Sequence, residues 1–163
     1  MKRNPMPSLA AAVLVATLAS GQAVLAAEEY HHHGESSATT QKLELNAGKK
    51  WETDAALRQS MDDINQAMAR ALPLIHKKRC SDSDYATLAS KINQKVGYDV
   101  EHCKLEAKAD AMLHIVIGEL MAGAEITEGK TAATRHDGAV RVRHALESYG
   151  KYFQHPNWKV ARA

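Results

Sequence analysis

The chain is poor in aromatic residues, with a single phenylalanine, and its basic and acidic residues nearly cancel, 21 against 19. Nucleic-acid binding draws on clustered Lys and Arg that displace counterions and on aromatic faces that stack on bases. Neither is offered here, so that function class is set aside. Long apolar runs are also missing. The apolar stretch from Leu9 to Ala19 is far shorter than the ~20 residues that a spanning helix needs, and no later segment is both long enough and free of charge, so no membrane-spanning part is expected. Catalytic patterns are lacking too: there is no His-Glu-x-x-His zinc pair, no Cys-x-x-Cys-His haem attachment site, and no serine or cysteine with recognisable activating partners. Acidic neighbours such as Asp62 and Asp63 read as solvated helix surface, and a non-enzymatic protein is expected.

The two cysteines, Cys80 and Cys103, invite a disulfide in an oxidising compartment. A helix is expected between them, and ~20 residues at ~1.5 Å rise separate its ends by ~30 Å. A disulfide tolerates less than ~7 Å between Cα atoms. The pair is therefore not bridged within one chain.

What is present begins with a three-part leader. Lys2 and Arg3 precede an apolar stretch from Leu9 to Ala19 and a small-residue exit at Val24-Leu25-Ala26, the plan of a cleaved signal peptide over 1–26. The expected address is the periplasm. Loss of Lys2 and Arg3 leaves 19 basic residues against 19 acidic ones, a formally neutral mature chain. Residues 27–50 hold Glu28, Glu29, Tyr30 and the run His31-His32-His33, then Gly, Ser and Thr with little apolar content before Leu43. That composition reads as a flexible arm.

Beyond the arm, apolar residues recur at three-and-four spacing, the mark of amphipathic helices. The first helix, 53–78, carries Leu57, Met61, Ile64, Met68, Ala71 and Ile75, with Thr53 and Asp54 as caps and Pro73 expected to kink it or end it early. The second, 83–105, carries Tyr85, Leu88, Ile92, Val96, Val100 and Cys103 after a Ser81-Asp82-Ser83 cap. The third, 107–127, is apolar almost all round and is expected to be the most buried, with Gly129 ending it. The fourth, 131–154, carries Ala139, Val142, Leu146, Tyr149 and Phe153 and is stopped by Pro156. Short connections predict an all-α, antiparallel up-down-up-down four-helix bundle over 51–158, with 159–163 a tail.

That topology gathers His102, Cys103, His155, Trp51 and Trp158 at one end, beside the arm, and His76, Cys80 and His136 at the other. Imidazole suits copper, zinc and nickel, and a thiolate favours copper(I) or zinc. His31, His32, His33, His102, His155 and Cys103 are therefore the candidate metal ligands. Against this, three histidines on an arm also suit a plain solvated linker. Cys103 lies on a core stripe, and His102, ~100° away, cannot easily grip one ion with it. Met61 and His114 lie at similar heights and form a candidate haem or copper pair, although Met61 also reads as one of six core positions. His144 is expected to face water.

The run Leu57-Arg58-Gln59-Ser60-Met61-Asp62-Asp63-Ile64-Asn65 resembles the first helix of periplasmic four-helix b-type cytochromes, and the resemblance implies a haem-ligand role for Met61. Counting from Glu128-Gly129-Lys130 puts Tyr149 where that family has its second ligand, a histidine. The resemblance thus implies the fold without the haem ligand set. A closer resemblance is to a group of exported proteobacterial four-helix-bundle proteins with no assigned activity. It is carried by Leu43-Glu44-Leu45-Asn46-Ala47-Gly48-Lys49-Lys50-Trp51-Glu52-Thr53-Asp54, by Cys103-Lys104-Leu105, and by Tyr149-Gly150-Lys151-Tyr152-Phe153-Gln154-His155-Pro156-Asn157-Trp158. It implies a periplasmic address and a shared helical fold. The functional expectations are non-enzymatic buffering or transfer of copper or zinc; a helical interaction or sensor module with a periplasmic partner; and, last, a haem carrier.

Overall fold

Asp54, Ser81 and Thr134 each stand just ahead of a run with helical spacing, and each accepts a backbone N–H with its side chain: Asp54 from Leu57, Ser81 from Asp84, Thr134 from Asp137. Such caps satisfy donors that helix geometry leaves orphaned and are worth about 1 kcal/mol apiece. In a computed structural model that describes residues 42–162, they open α1 (Ala55–His76), α2 (Asp82–His102) and α4 (Arg135–Tyr152). The remaining helix, α3 (Ala107–Glu128), starts without a side-chain cap and ends on Gly129 in the left-handed conformation, where glycine carries no steric penalty. Among the described residues these four helices form an all-α bundle with no β-sheet, and no helix is long and apolar enough to cross a membrane.

Several boundaries differ from the sequence reading, each for a local reason. Pro73 sits within α1, and the helix runs on through it for one more turn. At the other end of the chain, α4 starts at Arg135 and not near 131, because Thr134 and Asp137 close a reciprocal capping box. It stops at Tyr152, before Pro156, because Phe153 turns extended to pair with Trp51. Residues 42–50 are docked, not part of a free arm: Asn46 and Lys49 exchange backbone hydrogen bonds around a tight turn, and Leu43 packs against the core.

Burial follows the predicted stripes on α1 and α4, where Leu57, Met61, Ile64, Met68, Val142, Leu146 and Tyr149 are fully buried. On α2 the stripe takes the other branch of the three-or-four choice after Val96. Val100 is 69% exposed, and Asp99 is buried in its place. Nor is α3 the most buried helix: Ile115 and Ile117 are half-buried and Met121 is exposed. A helix in a four-helix ring has two neighbours, so its outer face meets water whatever its composition.

The tightest pairing is α3 with α4. A Cβ on Gly138 would lie 2.5 Å from the backbone N of Thr127 and 2.7 Å from the Gly123 carbonyl oxygen, and one on Gly123 would meet Val142 at 2.7 Å. The helices therefore touch backbone to backbone through this glycine pair, while the Thr127 hydroxyl donates to the Gly123 carbonyl at 2.7 Å.

In contrast, α1 and α4 touch little along their lengths. Their seam is closed by the chain that follows α4. Trp51 donates its N–H to the Tyr152 carbonyl (2.8 Å), Gln154 donates to the Trp51 carbonyl (2.7 Å), and the Thr53 hydroxyl donates to the Gln154 carbonyl (2.6 Å). Pro156 and Asn157, the latter at φ 62°, turn the chain, and Trp158 then packs on Gly150, where a Cβ would come within 2.4 Å of the indole. Farther along, Asn65 of α1 reads the tail with both ends of its amide, donating to the Lys159 carbonyl and accepting from the Ala161 N–H, each at 2.8 Å.

Two substitutions on α3 and α4 separate close packing from helix propensity. Gly138→Ala is expected to lower stability by ~2 kcal/mol or more, since its clashes are with backbone. Gly118→Ala, where nothing lies within 4 Å, is expected to raise stability by ~0.5–1 kcal/mol. Chemical denaturation of both variants checks the pair.

Candidate functional site

The end of the bundle that holds the start of α1 and the ends of α2 and α4 carries an unusual number of polar side chains. Asp54 links two of these segments: one carboxylate oxygen caps α1 and the other accepts the Lys104 N–H, just past α2, at 2.6 Å. Beneath it lies Asp99, 1% exposed. The Cys103 thiol donates to its Oδ1 at 3.5 Å, while its Oδ2 and the hydroxyl of fully buried Ser60 have no hydrogen-bond partner. Burial raises the Asp99 carboxyl to about 6, opposed by the Ser60 hydroxyl and the Cys103 thiol. The Ser60 hydroxyl can donate to the carboxylate or accept from the carboxylic acid, so it suits either protonation state of Asp99.

Between α1 and α4 a second group centres on His155, whose side chain is 6% exposed. Its Nδ1 lies 3.0 Å from the Tyr149 hydroxyl, its Nε2 lies 3.4 Å from Asp62 Oδ2, and its ring packs against Trp158 at 4.9 Å. Desolvation lowers the imidazole below its ordinary value, against the pull of Asp62. Burial likewise drives the Tyr149 phenol far up, so it stays protonated. Charge and geometry then assign the protons: Tyr149 O–H donates to Nδ1, and Nε2–H faces the Asp62 carboxylate.

The candidate ligands consequently separate into three environments. His155 has both ring nitrogens engaged. Cys103, the C-cap of α2, has its thiol pushed far up, first by burial and then by the Asp99 and Asp54 carboxylates, so it is held away from the thiolate form that metals bind. His102 lies outside, exposed and stacked on Tyr98 with ring centroids 4.0 Å apart. His102 Nδ1 is 2.9 Å from the Tyr98 carbonyl, which can only accept, so Nδ1 carries the proton and Nε2 presents its lone pair to solvent.

His31, His32 and His33 lie outside the described residues. Among the described residues no three His, Cys, Asp or Glu side chains converge to hold a metal ion. Met61 and His114 are not brought together. Met61 is fully buried, whereas the His114 side chain is 64% exposed and turned to its own helix, with Nδ1 2.9 Å from the Asp110 carbonyl. Both cysteines are free thiols, placed before and after the 21 residues of α2. Comparison of the chain with family models, with curated proteins and with solved structures finds no match.

Asp99 generates a pH test. Its folded-state value, about 6, lies above the ordinary carboxyl value of 3.8, so the folded chain holds this proton more tightly than the unfolded one. Its contribution to stability is complete below ~4 and is lost as pH rises toward ~6, at up to about 1.4 kcal/mol per pH unit. Asp99→Asn is therefore expected to gain stability relative to the parent between pH 4 and pH 7. Denaturant midpoints across that range read the difference, and a pH-independent difference contradicts the assignment.

Proposed function

We propose that this chain is an exported, periplasmic, non-enzymatic protein that binds copper or zinc through His102 and the His31-His32-His33 run. The observation that carries the reading is the outward Nε2 of His102: its tautomer is fixed by a backbone carbonyl, its ring is held by stacking, and the side chain is exposed. Imidazole ligands are oriented in this way when the second nitrogen is tied. His114 is an exposed imidazole of the same tautomer. His155 and Cys103 are not needed as ligands, since recruiting them would break the Tyr149 and Asp99 contacts at the closed end.

The leader pattern at 1–26 supports export. An antiparallel up-and-down order is supported by side chains that bridge helix ends: Asp54 at the start of α1 meets Lys104 past the end of α2, and Arg135 at the start of α4 meets Asp82 at the start of α2. A metal-independent interaction module is the second reading, favoured by Val100, which lies 69% exposed two residues from His102.

Titration calorimetry with copper(II) and zinc tests the leading reading. Saturable binding is expected, weakened roughly tenfold by His102→Ala, the scale of one lost ligand, and abolished by also replacing His31, His32 and His33. Absence of binding above background in the parent chain contradicts it. Recovery of one partner in equal yield with and without chelator, lost on Val100→Asp, would favour the interaction reading.

A further inference from the structure

The seam between α1 and α4 stays open where the tail does not fill it. Near the end of α1 and the start of α4, Leu72, Ile75, Ala139 and Val140 form the apolar floor of a cleft of about 310 Å³. His76, His136, Arg143 and Arg162 stand around it, and no acidic residue lines it. Arg143, Ala161 and Arg162 also line a second cleft, of about 710 Å³, between the tail and α4, so the two adjoin. The second adds Lys159 and one carboxylate, Glu147, which is already paired with Arg143. Among the described residues, Lys159 and Arg162 have no carboxylate partner. Asp137 comes within 3.9 Å of His136 but is committed to the Thr134 cap.

A chain whose charges otherwise nearly balance thus concentrates cationic groups around two adjoining clefts, the smaller of which has an apolar floor. Small-ligand sites combine those two features, a mostly apolar surface and a few convergent polar groups, and guanidinium forks match carboxylate and phosphate oxygens. We propose that this cleft binds a small amphipathic anion, with its hydrocarbon body on the Leu72–Val140 floor and its carboxylate or phosphate head between Arg143 and Arg162. The site lies toward the opposite end of α1 from Asp54 and does not rest on the metal reading.

The test is calorimetry of the purified chain, at fixed ionic strength and below micelle formation, with decanoate, decyl phosphate, decanol and decylamine, and in parallel with phosphatidylglycerol vesicles. Saturable binding of decanoate, decyl phosphate or both is expected, with decanol and decylamine at least roughly tenfold weaker. Arg143→Ala with Arg162→Ala should weaken the anion by a similar factor while circular dichroism stays unchanged; if that double variant unfolds, Arg162→Gln alone, on the exposed tail, should still weaken it severalfold. Equal binding of decanol, no effect of either variant, or association with vesicles but with neither free anion would overturn the proposal.

Discussion

The rest of the structure depends on how the ring of helices closes. Neighbours α1–α2, α2–α3 and α3–α4 pack directly, but α1 and α4 need a filler. The filler is the segment after α4, locked at one end by the backbone exchange between Trp51 and residues 152–154 and farther on by the Asn65 amide. Trp51, Phe153 and Tyr149 are buried as a result, at 6%, 0% and 0% exposure. Each aromatic side chain removed from water contributes roughly 2–3 kcal/mol, so the closure is a stabilising element and not a loose end.

That closure decides which polar groups remain available for chemistry. His155 is drawn beneath Trp158 and spends its nitrogens on Tyr149 and Asp62. Cys103 and Ser60 are drawn around Asp99. Burial there holds thiol, phenol and carboxyl toward their neutral forms, which suits packing and works against metal ligation. His102, one residue before Cys103, escapes because a helix turns ~100° per residue and directs it outward.

Much of the architecture was legible in the sequence, because the Asp54 and Ser81 caps and the three-and-four stripes are local signals; the Thr134 cap was missed, which set the start of α4 too early. The α2 stripe was misjudged at Val100, where a preference for the apolar residue hid the geometric equivalence of Asp99; the buried carboxyl was invisible for that reason. The roles of Asn65, Gly150 and Trp158 were hidden too, since each depends on a contact some 90 residues away or across the Pro156-Asn157 turn. Of the candidate ligands, His102 was correctly read as lying off the core stripe, whereas the engagement of His155 by Tyr149 required the tail's path.

The same geometry leaves two surfaces distinct in chemistry: an exposed imidazole beside the closed end, and a cationic, apolar-floored cleft where the seam stays open. The cleft follows from a tail that seals only part of the α1–α4 contact, whereas His102 is turned outward by its place on α2. Backbone hydrogen exchange, comparing the full chain with one ending at Gln154, tests this closure most directly. Selective loss of protection along α1 and α4, with α2 and α3 largely retained, is the predicted result; unchanged protection of α1 and α4 would contradict it.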